Sequence, residues 1–416
     1  MNTSRLTKLS LAIGLSVTSA QLLANPQQFS SARSFGMGGT GVAVAHPADA
    51  VAKNPALMAG QQNGWTDDFG LILPSLNVRA ADEEETGDQI DDIQDTIDEI
   101  DRAISQLNSA DAQRGAATLR QQLQELDRDT VRANGSLGLA LAAPSRNLSV
   151  GVFANANLVV TARGEYDDED DAVLQDIENG IPRPNFRNEL KSRAKILASA
   201  VTEVGIGFAR AIDLGNDQAL NLGLSPKFVN LQTFQYTETV SGFEDDDFDS
   251  DEHQTEKNGF NLDVGAAYAF GDDKEWTAAV AVKNLIPMEL DSAQSDPALE
   301  EKRTFKLDPM VTAGIAHKGD YHVLTADVEL TKREAFGYED DTQWAALGAE
   351  LDAWRYAQLR FGVRHNLASN DNSNGIEEKT QYTAGLGLNL LGVRMDLAAL
   401  FSDTDKGAAL EFGTAF

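Results

Sequence analysis

The sequence predicts an all-β chain, a 14-stranded antiparallel transmembrane β-barrel with an N-terminal lumen plug and an α-helical hairpin inserted in the first outer loop. Three observations predict it. An export signal opens the chain; segments of about ten residues with period-2 alternation recur to its end; and the connections between them alternate short and long, the pattern of bacterial outer-membrane barrels.

Residues 1–24 have the parts of a secretory signal. Arg5 and Lys8 give a basic start, residues 9–17 a short apolar core, and small residues follow. Cleavage fits after Ala20 or after Ala24, the second leaving Asn25 as the mature start. The apolar core is shorter than the about 20 residues that a membrane-crossing helix needs, and no later stretch reaches that length without charges. In lipid, the other way to satisfy every backbone group is a closed barrel. The expected layout is a signal peptide at 1–24, a plug at 25–63 and a barrel at 64–416, in a Gram-negative outer membrane.

Residues 31–59 carry Gly36, Gly38, Gly39 and Gly41, then run through small residues into Asn54-Pro55-Ala56. The glycines satisfy G-x-G-x-x-G, a nucleotide fingerprint only where a strand precedes it and a helix follows within a βαβ unit. Here it follows a signal, and nothing downstream alternates strand with helix. Glycines that permit close approach and positive-φ turns fit a segment packed into a narrow space better.

The strands are expected at 64–80, 134–143, 147–164, 196–211, 217–240, 258–271, 275–286, 303–318, 320–331, 342–352, 355–367, 378–390, 392–403 and 407–416. Alternation is cleanest near the end. Tyr382, Ala384, Leu386, Leu388 and Leu390 share one face, with Gln381, Thr383, Gly385, Gly387 and Asn389 opposite. Val393, Met395, Leu397, Ala399 and Phe401 oppose Arg394 and Asp396, which a watery lumen would accept.

The first long connection differs in kind. Ile90, Ile93, Ile97, Ile100, Ile104 and Leu107 form an unbroken a/d seam, and Ala116, Leu119, Leu123 and Leu126 continue it after a turn at 108–115. Two helices over about 88–127 make an antiparallel hairpin, which needs a surface to cover its seam. That surface is the barrel mouth, with the hairpin as a lid, or another copy or a partner. Two acidic runs, at 167–171 and 244–252, read as solvated loops; weak divalent-cation binding is the sharper alternative.

Composition narrows the function. The chain holds no cysteine, which removes disulfides and thiolate chemistry, and a net charge of −31 opposes nucleic acid as a partner. His46, His253, His317, His322 and His365 fall in no metal or hydrolase spacing. No catalytic, metal or cofactor-binding residue is expected.

With these residues laid out, a resemblance can be named. The opening Arg33-Ser34-Phe35-Gly36-Met37-Gly38-Gly39-Thr40-Gly41-Val42-Ala43, the run from Asp49-Ala50 to Asn54-Pro55-Ala56, and a wall ending in Phe412 and Phe416 resemble the FadL-like superfamily, the long-chain fatty-acid transporter (OMPP1-type) barrels. The arginine-led opening and helical insertion look most like its TraF-like conjugal transfer family, of plasmid transfer operon type. The resemblance implies a lumen plug, a terminal phenylalanine signal for barrel-assembly machinery, and, in the fatty-acid transporter, hydrophobic molecules that enter outside and leave sideways. This chain departs from that pattern in lacking a long apolar outer loop.

Two functions from different classes follow. The first is a plugged channel for small hydrophobic or amphipathic molecules. Gly36, Gly38, Gly39, Gly41, Asn54, Pro55 and Ala56 would hold or gate its plug. The second is a non-enzymatic component of a conjugal transfer or secretion system, with the barrel as anchor and the hairpin as interaction element. Expected partners are outer-membrane lipid and lipopolysaccharide, the assembly machinery, and a hydrophobic small molecule or an envelope-complex protein.

Overall fold

The computed structural model describes residues 31–59, 70–82, 86–145, 147–216, 218–242, 251–353, 356–370, 375–390 and 392–415. The expected signal peptide, residues 60–69, most of the second acidic run and Phe416 lie outside them.

Among the described residues, sixteen strands follow in chain order: β1 Gly70–Asp82, β2 Thr130–Ala143, β3 Ser149–Glu165, β4 Arg193–Gly215, β5 Gln218–Thr239, β6 Gln254–Phe270, β7 Trp276–Lys283, β8 Met288–Asp291, β9 Thr304–Leu307, β10 Met310–Lys318, β11 His322–Glu329, β12 Trp344–Ala353, β13 Ala357–Asn366, β14 Thr380–Leu390, β15 Val393–Phe401 and β16 Asp405–Ala415. Fourteen of them close an antiparallel barrel in which β1 pairs with both β2 and β16. Gly70 and Ala415 pair at the end that carries the short turns, and the long connections leave from the other. Closure leaves no unpaired sheet edge.

The wall turns an apolar face outward. Tyr382, Leu390, Val393, Leu347 and Phe361 are each more than half exposed, while Gln381 and Thr383 on the opposite face are buried. Phe412 lies on this outward face of β16. One expectation about the inner face fails. Arg394 and Asp396 do point inward, but they are 9% and 0% exposed rather than solvated, because the lumen is filled.

The expected strand 303–318 is two elements. Pro309 lacks an N–H and cannot donate to the wall's ladder. Thr304–Leu307 therefore pairs with Met288–Asp291 as a separate ribbon, and the wall resumes at Met310. The barrel is also lopsided. β3 to β6 have 17, 23, 22 and 17 residues, whereas β7, β10 and β11 have 8, 9 and 8.

The hairpin forms as two helices, Thr86–Ser105 and Ser109–Glu125, with Asn108 capping the second through the Asp111 N–H. The turn is shorter than expected, since the second helix already starts at Ser109. Ile93, Ile97 and Ile100 are buried against Ala116, Leu119, Leu123 and Leu126, with Ile90 and Ile104 packed at the margin. Gly115 lets the helices close, because a Cβ there would sit 2.6 Å from Ile100 Cγ1. Leu107 leaves the seam. The first helix ends at Ser105, and Leu107, at φ 57°, is 92% exposed in the turn.

The seam is covered within the chain itself, with Tyr166 and Val240 beside the ends of β3 and β5 packed at its margin. It packs on a third helix, Glu169–Glu178, together with Phe186 and Leu190 of the second long connection. The acidic run at 167–171 is thus not a solvated loop but the start of that helix, where carboxylates oppose the dipole favourably. Asp170 is fully buried and accepts from the N–H groups of Lys191 and Ser192 at 2.7 and 2.9 Å.

This three-helix head has its own core. Leu119→Ala should cost it about 2–5 kcal/mol, the usual range for a buried leucine. Limited proteolysis should then cut within 86–126 while the barrel keeps its heat-modifiable migration on gels.

Candidate functional site

Residues 31–59 lie inside the barrel, and nearly all of them are buried. Ser31 organises the start, its hydroxyl accepting from Ser34 N at 3.1 Å and donating to Asp49 Oδ2 at 2.7 Å. A short helix, Ala32–Phe35, then presents Arg33 to the wall.

The four glycines come together in the loop after that helix. Gly38 and Gly39 sit at φ 71° and 86°, a region other residues enter only at a cost. A Cβ on Gly38 would also lie 3.0 Å from the Val363 carbonyl oxygen. The Gly38 N–H donates to Thr383 Oγ1 at 2.9 Å, and those of Gly41 and Val42 donate to Asp327 Oδ2 at 2.8 and 3.0 Å. Gly36 lies against Gly385, and Gly41 over the Lys53 side chain. The glycine loop follows a helix and opens none, so the nucleotide fingerprint is coincidental.

Asn54 clamps the two arms of the segment. Its Nδ2 donates to the Val42 carbonyl at 2.8 Å, and its Oδ1 accepts from Ala56 N at 3.2 Å, closing the turn in which Pro55 begins a 3-10 helix. Helix Pro47–Lys53 and this turn pack with Phe153, Ile72, Ala140 and Ala142 of the wall. Ser225 Oγ and Ser149 Oγ donate to the Val51 and Met58 carbonyls at 3.1 and 3.0 Å.

The wall's share of the site went unseen in the sequence. Inward-facing strand glycines let the segment reach the backbone. A Cβ on Gly223 would fall 2.4 Å from Ala56 N, on Gly265 1.9 Å from Asn54 Oδ1, and on Gly362 2.1 Å from Gly38 N. The available signal was glycine on the face opposite the outward apolar residues, as at Gly385 and Gly387.

A chain of ions fixes the segment to the far wall. Arg33 pairs with both oxygens of Glu350 at 2.9 Å. Glu350 also pairs with Arg360 at 2.6 Å, Arg360 with Asp396 at 2.6 Å, Asp396 with Arg394 at 2.5 Å, and Arg394 with Glu411 at 3.9 Å. Glu411 completes the circuit by accepting from Ala32 N at 3.0 Å. On the opposite wall Lys227 pairs with Glu203 and Asp263, and Lys283 bonds both Asp263 and the Ala52 carbonyl.

Burial governs the segment's own titratable groups. It pushes the Asp49 carboxyl up, against Lys53 and the Ser31 hydroxyl, and pulls the Lys53 ammonium down, against Asp49 and Asp327. Burial, followed by the positive charges of Arg394, Arg33 and Arg360, holds the His46 imidazole well below its ordinary range. Between Gly38, Lys53, Asp327, Glu329 and Arg364 remains a polar cavity of about 60 Å³. That is room for a few waters.

Nearer the long-loop end, Arg79 and Arg132 pair with Glu378 and Asp405, which also accept from Gln381 at 2.7 and 2.8 Å. His253 Nδ1 lies 2.8 Å from Ser295 Oγ, which in turn donates to Glu300 Oε2 at 3.1 Å. That hydroxyl is committed to a carboxylate, and the contact ties the loop before β9 to the start of β6. His317 and His322 flank a short turn with ring nitrogens 3.2 Å apart, beside Trp276.

The family described as "F plasmid transfer operon, TraF, protein" matches residues 51–329, more than half of the chain. The chain belongs to that family. A search of the curated proteins finds no match. Among solved structures, the fold is similar to the toluene transporter TodX of Pseudomonas putida, at TM-score 0.53 and 14% identity over 95% of this chain and 100% of that one. A TodX deltaS2S3 mutant monoaromatic hydrocarbon channel gives 0.58 and 13% over 94% and 100%. The CymD monoaromatic hydrocarbon channel gives 0.53 and 12% over 93% and 97%. The fourteen-stranded antiparallel barrel expected from the sequence is thus the fold observed.

In this TraF family member, Glu350→Gln should weaken both the Arg33 and the Arg360 contacts. Removing one partner of a buried pair costs about 3–5 kcal/mol. Trypsin should then cleave at Arg33 or Lys53 in the folded barrel, sites protected in the wild type.

Proposed function

We propose that the protein is an outer-membrane channel for small hydrophobic or amphipathic molecules, closed by residues 31–59 acting as a plug. One observation carries the reading: the segment that fills the lumen is held by side-chain hydrogen bonds, ion pairs and small-residue contacts, and adds no strand to the wall. Such contacts can be exchanged without opening the barrel. The closed wall and apolar exterior support placement in an outer membrane, and the channels and transporters of similar fold support a non-enzymatic role. Gly36, Gly38, Gly39 and Gly41 shape the plug's loop, while Asn54, Pro55 and Ala56 lock its turn. Phe412 and Phe416 are the proposed assembly signal. The expected signal peptide at 1–24, outer-membrane lipid, lipopolysaccharide and the assembly machinery belong to the same reading.

The family's description favours a second reading, an envelope component of a conjugal transfer system with the barrel as anchor. The helical head would be its interaction element. Its seam residues Ile93, Ile97, Ile100, Leu119, Leu123 and Leu126 are already covered by the chain's own third helix. A partner would therefore read the outer, acidic faces of the head.

Replacing the turn by Asn54→Gly, Pro55→Ser and Ala56→Gly should raise toluene flux into proteoliposomes several-fold; an unchanged flux counts against the gate. Deletion of 88–126 should leave that flux intact. Loss of plasmid transfer with normal flux in the deleted form would favour the second reading.

A further inference from the structure

The apolar positions on the barrel's inner face pack on residues 31–59, as in the clusters around Phe153, Leu400 and Val323, with one exception among the described residues. Toward the long-loop end, β4 and β5 turn Leu197, Val201, Val229 and Leu231 into the lumen, each no more than 2% exposed. Their neighbours on the same inner face are polar: Ser199, Glu203, Lys227, Thr233 and Gln235. An aliphatic patch inside a polar lumen is not needed for closure, since the ladders already satisfy the wall.

The chain itself fills the space in front of this patch. Phe305 and Leu307 of β9 and Met288 of β8 pack there with Phe336 of the connection between β11 and β12. The rings of Phe305 and Phe336 meet edge to face, 5.8 Å apart at 77°. Phe336 is not held by ladder hydrogen bonds. Its carbonyl accepts from Arg303 at 3.2 Å, and the next contact is Tyr338 N to Thr161 Oγ1 at 3.0 Å. Arg163 and Arg303 lie over the Tyr338 ring at 4.2 and 4.9 Å, and Gly337 separates the two aromatic residues.

We infer that this is a binding subsite for an uncharged molecule about the size of one aromatic ring, occupied in the closed state by the phenyl ring of Phe336. Outward movement of residues 332–341 withdraws that ring and leaves a slot between Phe305 and the aliphatic patch. The ligand class follows from what fills the slot: a phenyl group edge-on to another, with aliphatic walls, the two nearby guanidinium groups being engaged on the Tyr338 ring. The inference rests on the channel reading for its purpose and makes the outer closure a second gate, separate from the plug.

The chain has no cysteine, so an introduced pair is the sole thiol pair. A Cβ built on Gly337 lies 3.2 Å from the Thr161 Cβ, near the ~3.5–4.5 Å that a disulfide spans. Gly337→Cys with Thr161→Cys should therefore lock residues 332–341 to β3. The probe is 4-fluorotoluene, its binding to the full chain in nanodiscs read by ¹⁹F line broadening against empty nanodiscs. The oxidised pair should bind at least tenfold more weakly than the reduced pair, and Phe336→Ala should bind several-fold more tightly than wild type. Heat-modifiable migration verifies that each form is folded. Equal binding by the oxidised and reduced pair, or no gain with Phe336→Ala, overturns the subsite. Toluene flux is a separate readout. Binding that responds to the lock in a barrel that conducts nothing would refute the channel and keep the subsite, whereas flux with lock-insensitive binding would do the reverse.

Discussion

A filled barrel leaves little room for water to solvate the charges on its inner face, and the structure depends on how that constraint is met. Glu350, Arg360, Asp396, Arg394 and Glu411 come from four strands, and none is more than 9% exposed. Charges taken out of water are costly unless paired and hydrogen-bonded. Each one here has an opposite neighbour, and Arg33 and the Ala32 N–H supply what the wall lacks. The wall is thus electrostatically incomplete without its N-terminal segment. This makes the segment part of the fold as well as an obstacle in the lumen.

Steric fit works the same way. The segment brings small residues and the wall brings glycines, so that backbone meets backbone at Gly223, Gly265 and Gly362. A contact this close leaves no film of water between segment and strand. The polar groups that remain must bond across it, as Asp327 does with two consecutive N–H groups.

The long-loop end is built by a different logic. There the extra elements pack on one another through apolar cores: three helices to one side, and a ribbon with an aromatic loop over the inner face of β4 and β5. The helical head needs nothing further to cover its seam. The ribbon and loop, by contrast, spend their aromatic side chains on the barrel's interior.

The fourteen strands, their alternation and the helical hairpin were legible in the sequence, because periodicities of 2 and 3.5 are properties of neighbouring residues. So was the special character of residues 31–59, since clustered glycines and Asn54-Pro55-Ala56 constrain the local backbone. Other features depended on residues far apart in the chain. Arg33 meets Glu350, and Gly38 meets Gly362, only once the barrel has closed. The third helix hid in an acidic run because its apolar residues number only a few, and they gain meaning from the seam they cover. Leu107 had the right spacing for that seam, yet the turn at Ser105 carried it into solvent. Local pattern thus determined which elements form and which face of each is apolar. Tertiary structure alone decided that the lumen is filled, because filling depends on what occupies the space between strands, and no single strand carries that information.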